Sequence, residues 1–156
     1  MTESKITHHT FTLERSFPVA PDRVFAAFSD PVQKRAWFAG HGSHAAEEYE
    51  LNFTVGGAER ILSRLGPNTP FPGAPLRSEA THLDIVPNKR IVMSGTMALN
   101  DYRFSAALAT FELIPTETGT DLLFTHQAAF FENADGPDMR MAGWRALLDR
   151  LAEHLN

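Results

Sequence analysis

The stretch that most constrains this chain is its C-terminal segment, Asp135 to His154, which has the length and stripe of a long amphipathic helix. Trp144, Leu147, Leu148, Leu151 and Leu155 recur at three- and four-residue steps, while Arg140, Arg145, Asp149, Arg150 and Glu153 fall largely on the other side. Asp135-Gly136-Pro137-Asp138 reads as the start: a capping side chain, a proline tolerated in the first turn, and acid near the positive end of the helix dipole. At ~1.5 Å per residue such a helix is roughly 30 Å long, about the width of six or seven strands spaced ~4.8 Å apart. A helix laid across a sheet follows, with Trp144 and Leu148 expected to be buried.

At 156 residues the chain has the size of one domain, ordered from about residue 8 to 155, and is long enough to bury most of its unfolded surface. Hydrophobic residues at 43% and charged residues at 21% are ordinary for a globular protein, and no apolar run approaches the ~18 residues of a membrane span. Met1 to Lys5 lacks an apolar signal core, so a cytoplasmic location is expected. The absence of cysteine excludes disulfides, thiolate catalysis and cysteine-based metal sites. Fourteen scattered basic residues against nineteen acidic ones give a net charge of -5, which argues against nucleic acid as a partner.

In chain order, Phe11, Leu13 and Phe17 alternate with polar residues as in a half-buried strand. Pro21 then opens a short helix carrying Val24, Phe25 and Phe28, and Asp30-Pro31 opens a second one toward Trp37-Phe38. From Tyr49 the period returns to two. Turn signals at Gly56-Gly57, Pro87-Asn88, Asn100-Asp101 and Thr118-Gly119 separate about six strand-like runs, with alternation in Leu83 and Ile85, in Ile91, Met93 and Met97, in Ala109, Phe111 and Leu113, and in Leu122 and Phe124. Gly66 to Pro75, with four prolines, sustains neither ladder nor helix and is expected to be an exposed lid-like loop bordering a cavity mouth.

Strand, two small helices, a meander and one long helix is the order of an α+β helix-grip fold with an antiparallel sheet of six to seven strands and a long C-terminal helix. Val55-Gly56-Gly57-Ala58-Glu59, Asp84 to Val92, Gly119-Thr120, Phe124-Thr125-His126-Gln127 and Gly143-Trp144 resemble, in that order, the activator of heat-shock-protein-90 ATPase homologue family of the START-like superfamily. Asp30-Pro31 and Trp37-Phe38 resemble its early helix signature, and the likeness runs from about Phe11 to Leu155. The chain departs from the family pattern at His126, where an acid usually precedes Gln, and at Gly95, where an aromatic often stands. The resemblance implies a Bet v 1-like, START-like fold, a sheet curved around the last helix with a cavity between them, but no single chemistry, since relatives include lipid carriers, polyketide cyclases and co-chaperone domains.

Among chemistry-bearing residues, His126 shares a strand face with Leu122 and Phe124 and points inward if the strand alternates. It reads either as a satisfied core histidine or as a ligand contact, in which case a carboxylate-bearing ligand binds more tightly as pH falls and the ring gains charge. Arg60 and Arg64 either grip a ligand carboxylate or are solvated outside. His41 and His44, near Glu47 and Glu48, have the spacing of a metal pair only if their glycine-rich loop is helical, and His8-His9 lies at a frayed start; no metal or cofactor is expected.

Twelve Phe against two Trp and two Tyr make an interior that suits a mostly hydrophobic ligand. Ala106, Ala107, Ala109, Ala128 and Ala129 either admit the helix closely or leave ligand volume. The expected lining is Trp37, Phe38, Arg64, Met93, Met97, Phe111, Phe124, His126 and Trp144, with Gln127, Ser94 and Thr96 as further polar candidates. A carrier of a small lipid-like or aromatic molecule, monomeric or homodimeric, leads. A co-chaperone module and a cyclase- or hydrolase-type enzyme are the alternatives.

Overall fold

The computed structural model describes residues 3–40 and 46–156. The pair His41 and His44 lies outside the described residues. Strand β1 (Thr7–Phe17) leads into α1 (Pro21–Ser29) and α2 (Pro31–Lys34), which continues as a wider, π-type turn over Arg35–Ala39. Six strands follow: β2 (Glu48–Leu51), β3 (Ala58–Arg64), β4 (Pro75–Val86), β5 (Arg90–Leu99), β6 (Tyr102–Pro115) and β7 (Thr120–Phe130). Helix α3 (Pro137–Leu155) closes the chain.

All seven strands form one antiparallel sheet in the order β1-β7-β6-β5-β4-β3-β2. Because side chains alternate, the register fixes the inner face: Phe11 pairs with His126, Leu13 with Phe124, Phe111 with Phe124 and Ile91 with Phe111. Two of the tight turns use asparagine in the left-handed region, Asn88 at φ 64° and Asn100 at φ 54°, a conformation this short polar side chain tolerates. His8 and His9 are not frayed, for both belong to β1 and pair with Ala129 and Ala128. Strand β4 breaks the expected alternation. The alternation that buries His82 exposes Leu83, and the bulge between His82 and Asp84 then sets Ile85 opposite the buried Ile91, so Leu83 and Ile85 do not share a face.

Asp30 caps α2 as expected, its carboxylate accepting the Val32 N–H at 3.0 Å. At α3 the start differs from the expectation. Gly136, at φ 88°, occupies the cap position without any side-chain bond, and the Asp135 carboxylate turns instead to Arg140. Leu148, Leu151 and Leu155 are fully buried against the inner face, and Arg15 of β1 reaches Asp149 at 3.3 Å. Trp144 is only half-buried, contrary to expectation, because the space beside it is open. Truncating Leu148 removes a filled core position, so Leu148→Ala should cost roughly 2 to 5 kcal/mol in a urea melt. A loss under about 1 kcal/mol would contradict the packing of α3 on the sheet.

Candidate functional site

Between the inner face of the sheet and the N-terminal half of α3 lies a cavity of about 100 Å³, partly open to solvent. Its apolar wall is made by Phe38 after α2, Met93 and Met97 of β5, Phe111 of β6 and Trp144 of α3. Its floor is small: Ala80, Gly95, Ala107 and Ala109. Gly95 is fixed by backbone crowding, since a Cβ there would lie 2.5 Å from the Glu79 carbonyl oxygen and 3.0 Å from the Ala80 methyl. The alanine stripe thus opens space at positions 107 and 109. Ala106 and Ala129 take the opposite face, and Ala128 is buried on the inner one.

Of the sequence-derived lining, the structure brings together Phe38, Met93, Met97, Phe111, His126 and Trp144. It leaves out three others. Trp37 sits in the core behind the wall, fully buried, and donates its indole N–H to the Ala27 carbonyl at 2.8 Å. Phe124 lies beneath Phe111 and Trp144, at 4.7 and 4.4 Å between ring centres, and supports the wall rather than facing the space. Arg64 is exposed on β3, pairs with Glu47 at 2.7 Å and donates to the Gly73 carbonyl, so it ties down the loop outside the cavity. Arg60 is likewise outside, paired with Glu50. None of residues 66–75 lines the cavity, and backbone hydrogen bonds such as Leu65 N–H to the Ala74 carbonyl close that loop on itself, against the lid expectation. Ser94 and Thr96 border the cavity through their backbone, because the alternation that turns Met93, Gly95 and Met97 inward sends their side chains outward. Gln127 faces solvent.

The polar groups that do line the cavity were mostly missed. Lys34, at the end of α2, is 3% exposed and holds both Glu59 carboxylate oxygens at 3.0 and 3.2 Å, while the Tyr49 hydroxyl donates to the same carboxylate at 2.5 Å. The Phe38 ring lies 4.3 Å from the Lys34 ammonium, a favourable placement for a desolvated cation. Burial, and then the adjacent Glu59 carboxylate, push the Tyr49 hydroxyl far above its usual range, so it stays a proton donor. At the other end Arg140 is 7% exposed and holds Asp135 through two nitrogens at 2.9 Å, with Ser105 accepting a third bond at 2.8 Å and the Phe130 ring under the guanidinium. Arg140 was expected on the solvated side of α3. Its place four residues before Trp144 in fact puts it on the buried face, where neutralisation by Asp135 makes burial tolerable.

His126 lies inward, stacked on Phe11 at 4.8 Å, and 2% exposed. Its Nδ1 is sealed from solvent and finds no hydrogen-bond partner among the described residues. Burial first, and then the Arg140 guanidinium, push its protonation down to about 4, against a smaller opposing pull from Asp135. The ring is therefore neutral across the physiological range, which removes the expected charging of His126 as the source of tighter carboxylate binding at mildly acidic pH.

A curved antiparallel sheet gripping one long helix over an inner cavity defines a START-like α+β protein. The chain belongs to the Activator of Hsp90 ATPase homolog 1-like protein family, which it matches over residues 18–156. It is similar to the solved structure of an uncharacterized protein from Rhizobium leguminosarum, with 35% identity, a TM-score of 0.90, and 99% of this chain and 98% of that one covered. It also resembles protein Mll3558 from Rhizobium loti, at 42% identity and TM-score 0.83 over 96% and 99% of the two chains. Protein CV1439 from Chromobacterium violaceum follows at 25% identity and TM-score 0.77, over 94% and 96%. A search of the curated proteins finds no match.

Two outcomes test this electrostatic layout. Glu59→Gln leaves the Lys34 ammonium buried without its counter-charge and should cost about 3 to 5 kcal/mol, whereas Arg64→Ala, at an exposed pair, should cost under about 1 kcal/mol. Denaturant melts of the two variants check the contrast. For His126 the folded value lies below the ordinary one of about 6.5, so the unfolded chain takes up the proton first. Its contribution is therefore fully present above about pH 6.5 and is lost as pH falls toward 4. The stability gap between the parent and His126→Phe should shift in favour of the variant between pH 7 and pH 4.5. An unchanged gap would mean that the ring takes up its proton equally in both states.

Proposed function

We propose that the protein binds a small, mostly hydrophobic molecule in the cavity between the sheet and α3. The observation that carries this reading is the half-buried Trp144. A large aromatic on the inner face of the helix lines a cavity floored by Ala80, Gly95, Ala107 and Ala109 and stays only half-buried. Interiors normally pack to near-crystalline density, and an apolar surface kept open beside convergent polar groups is the usual form of a ligand site. The family and its START-like fold support a ligand-binding role.

The size narrows the class. At about 100 Å³ the cavity falls well below the ~300 Å³ at which drug-sized sites begin, and near the scale of a pocket that holds one benzene ring. A compact ring compound fits better than a long acyl chain. The shortage of orienting groups in the apolar wall favours micromolar rather than nanomolar affinity.

The two tryptophans make the test direct, because their indole N–H signals are separately readable by NMR. Titration with a one-ring apolar probe should move the Trp144 signal and leave that of Trp37, whose N–H is already bonded to Ala27, nearly still. Ala107→Leu, which fills the floor, should weaken binding by about tenfold or more. Shifts confined to the outer face of the sheet, around Arg60 and Ala129, would sink the cavity reading.

A further inference from the structure

The polar groups of the cavity specify more than an apolar ligand. Lys34 and Glu59, both in the lining, are paired with one another, and the lining's Arg140 is paired with Asp135 beside it, so each charged lining residue among those described has an opposite partner. A ligand carboxylate entering here gives up its hydration and must compete with Glu59 and Asp135 for cations they already hold, and an ammonium finds both carboxylates already paired. Charge is thus selected against at both ends.

His126 supplies the complementary preference. Its Nδ1 is sealed against the protein and unpartnered among the described residues, while His126 lines the cavity and Nε2, which makes no hydrogen bond among the described residues, is the ring nitrogen that is not sealed. A neutral imidazole carries one N–H and one lone pair. Placing the N–H on sealed Nδ1 strands a buried donor, the costlier arrangement, so the proton belongs on Nε2 and is aimed into the cavity. Phe11, stacked at 4.8 Å with an interplanar angle of 15°, covers one face of the ring, and Trp144 lies tilted 6.4 Å away on the helix. The groups whose charge His126 feels are Arg140, Asp135 and His9, and together with burial they keep the ring uncharged at neutral pH.

Resting on the ligand-binding reading above, we propose that the cavity takes an uncharged ring compound bearing one acceptor oxygen of the carbonyl type, and that His126 Nε2–H is the donor that orients it. The ring of the ligand lies along Met93, Phe111 and Trp144, and its oxygen meets His126. Carboxylates of the same size are rejected by the cost of burying their charge beside two pairs that are already complete.

Three probes of nearly equal size separate the two levels of this reading: acetophenone (neutral, carbonyl), ethylbenzene (neutral, no acceptor) and benzoate (anionic at pH 7). Binding is followed by the Trp144 indole and His126 ring signals. Acetophenone should bind about fivefold more tightly than ethylbenzene, the worth of one added hydrogen bond, and benzoate the most weakly. In His126→Phe the ratio of acetophenone to ethylbenzene affinity should fall to about one, whatever the change in absolute affinity for either. Equal affinities for acetophenone and ethylbenzene in the parent overturn the role of His126 and leave cavity binding standing. Tightest binding by benzoate overturns the neutrality argument. Failure of all three to move Trp144 overturns the cavity reading itself, and this proposal with it. Should His126→Phe not fold, the parent's probe ranking alone still decides, and His126→Gln, which keeps an N–H donor of similar reach, should retain part of the preference.

Discussion

Everything in this structure hangs on one aromatic column that joins its three layers. Phe28 of α1 meets Phe111 of β6 at 4.9 Å, Phe111 stacks on Phe124 of β7 at 4.7 Å, and Phe124 meets Trp144 of α3 at 4.4 Å. Aromatic pairs at these separations add to the burial of their large surfaces, and the column sets how far the helix stands from the sheet. Below it, toward the C-terminus of α3, Leu148, Leu151 and Leu155 bring the helix into full contact with the core. Above it the floor of the sheet is Ala80, Gly95, Ala107 and Ala109, so the same spacing leaves a cavity rather than a contact. Closed and open halves of one interface therefore follow from a change in side-chain size along a single helix.

The walls of the open half are held in place by two ion pairs. The first turn of α3 lacks a side-chain cap, and Gly136 brings no apolar group. Arg140 takes over the anchoring: Asp135 on its own entry segment, Ser105 across on β6 and the Phe130 ring beneath it. Lys34 does the same for the turn after α2, tying it to Glu59 of β3 under the Phe38 ring. Pairs buried this deeply contribute little net stability compared with apolar replacements, yet each is costly to break, so they specify one arrangement of the cavity walls rather than strengthening the fold as a whole.

The architecture was legible because its signals are periodic. The two-residue alternation of Phe11, Leu13 and Phe17, the Asp30-Pro31 start and the leucine stripe of α3 each repeat a geometric rule several times over, and the register then places Leu122, Phe124 and His126 on one face as read. The cavity wall was legible only in part. Phe38, Met93, Met97, Phe111 and Trp144 face the space, but Trp37 and Phe124 have the same composition and sit one layer behind it, a distinction of depth that periodicity does not carry. Leu83 was misread onto the face of Ile85 because a single bulge shifts the face of the residues after it. Lys34 and Glu59 left no local trace, since their pairing joins residues 25 positions apart on different elements. Arg140 did leave one: its spacing to Trp144, Leu148 and Leu151 put it on the apolar face, and only its charge argued otherwise.

That last case shows why charge is a weaker guide to burial than spacing when a partner stands nearby. An arginine alone on the inner face of a helix is excluded by desolvation, but Asp135 lies just before the same helix, where the chain enters, and the two carboxylate oxygens meet two guanidinium nitrogens at 2.9 Å. Once that bond exists, the guanidinium is neutralised locally while its positive field still reaches His126 and discourages a second positive charge in the cavity. The arginine that this pair admits thus adds to the burial that keeps the imidazole neutral, while Asp135 offsets part of its effect. A helix-start acid, read from sequence as a cap, thus acts through its neighbour on the chemistry of the cavity, and the loss of one capping bond is the structural condition for it.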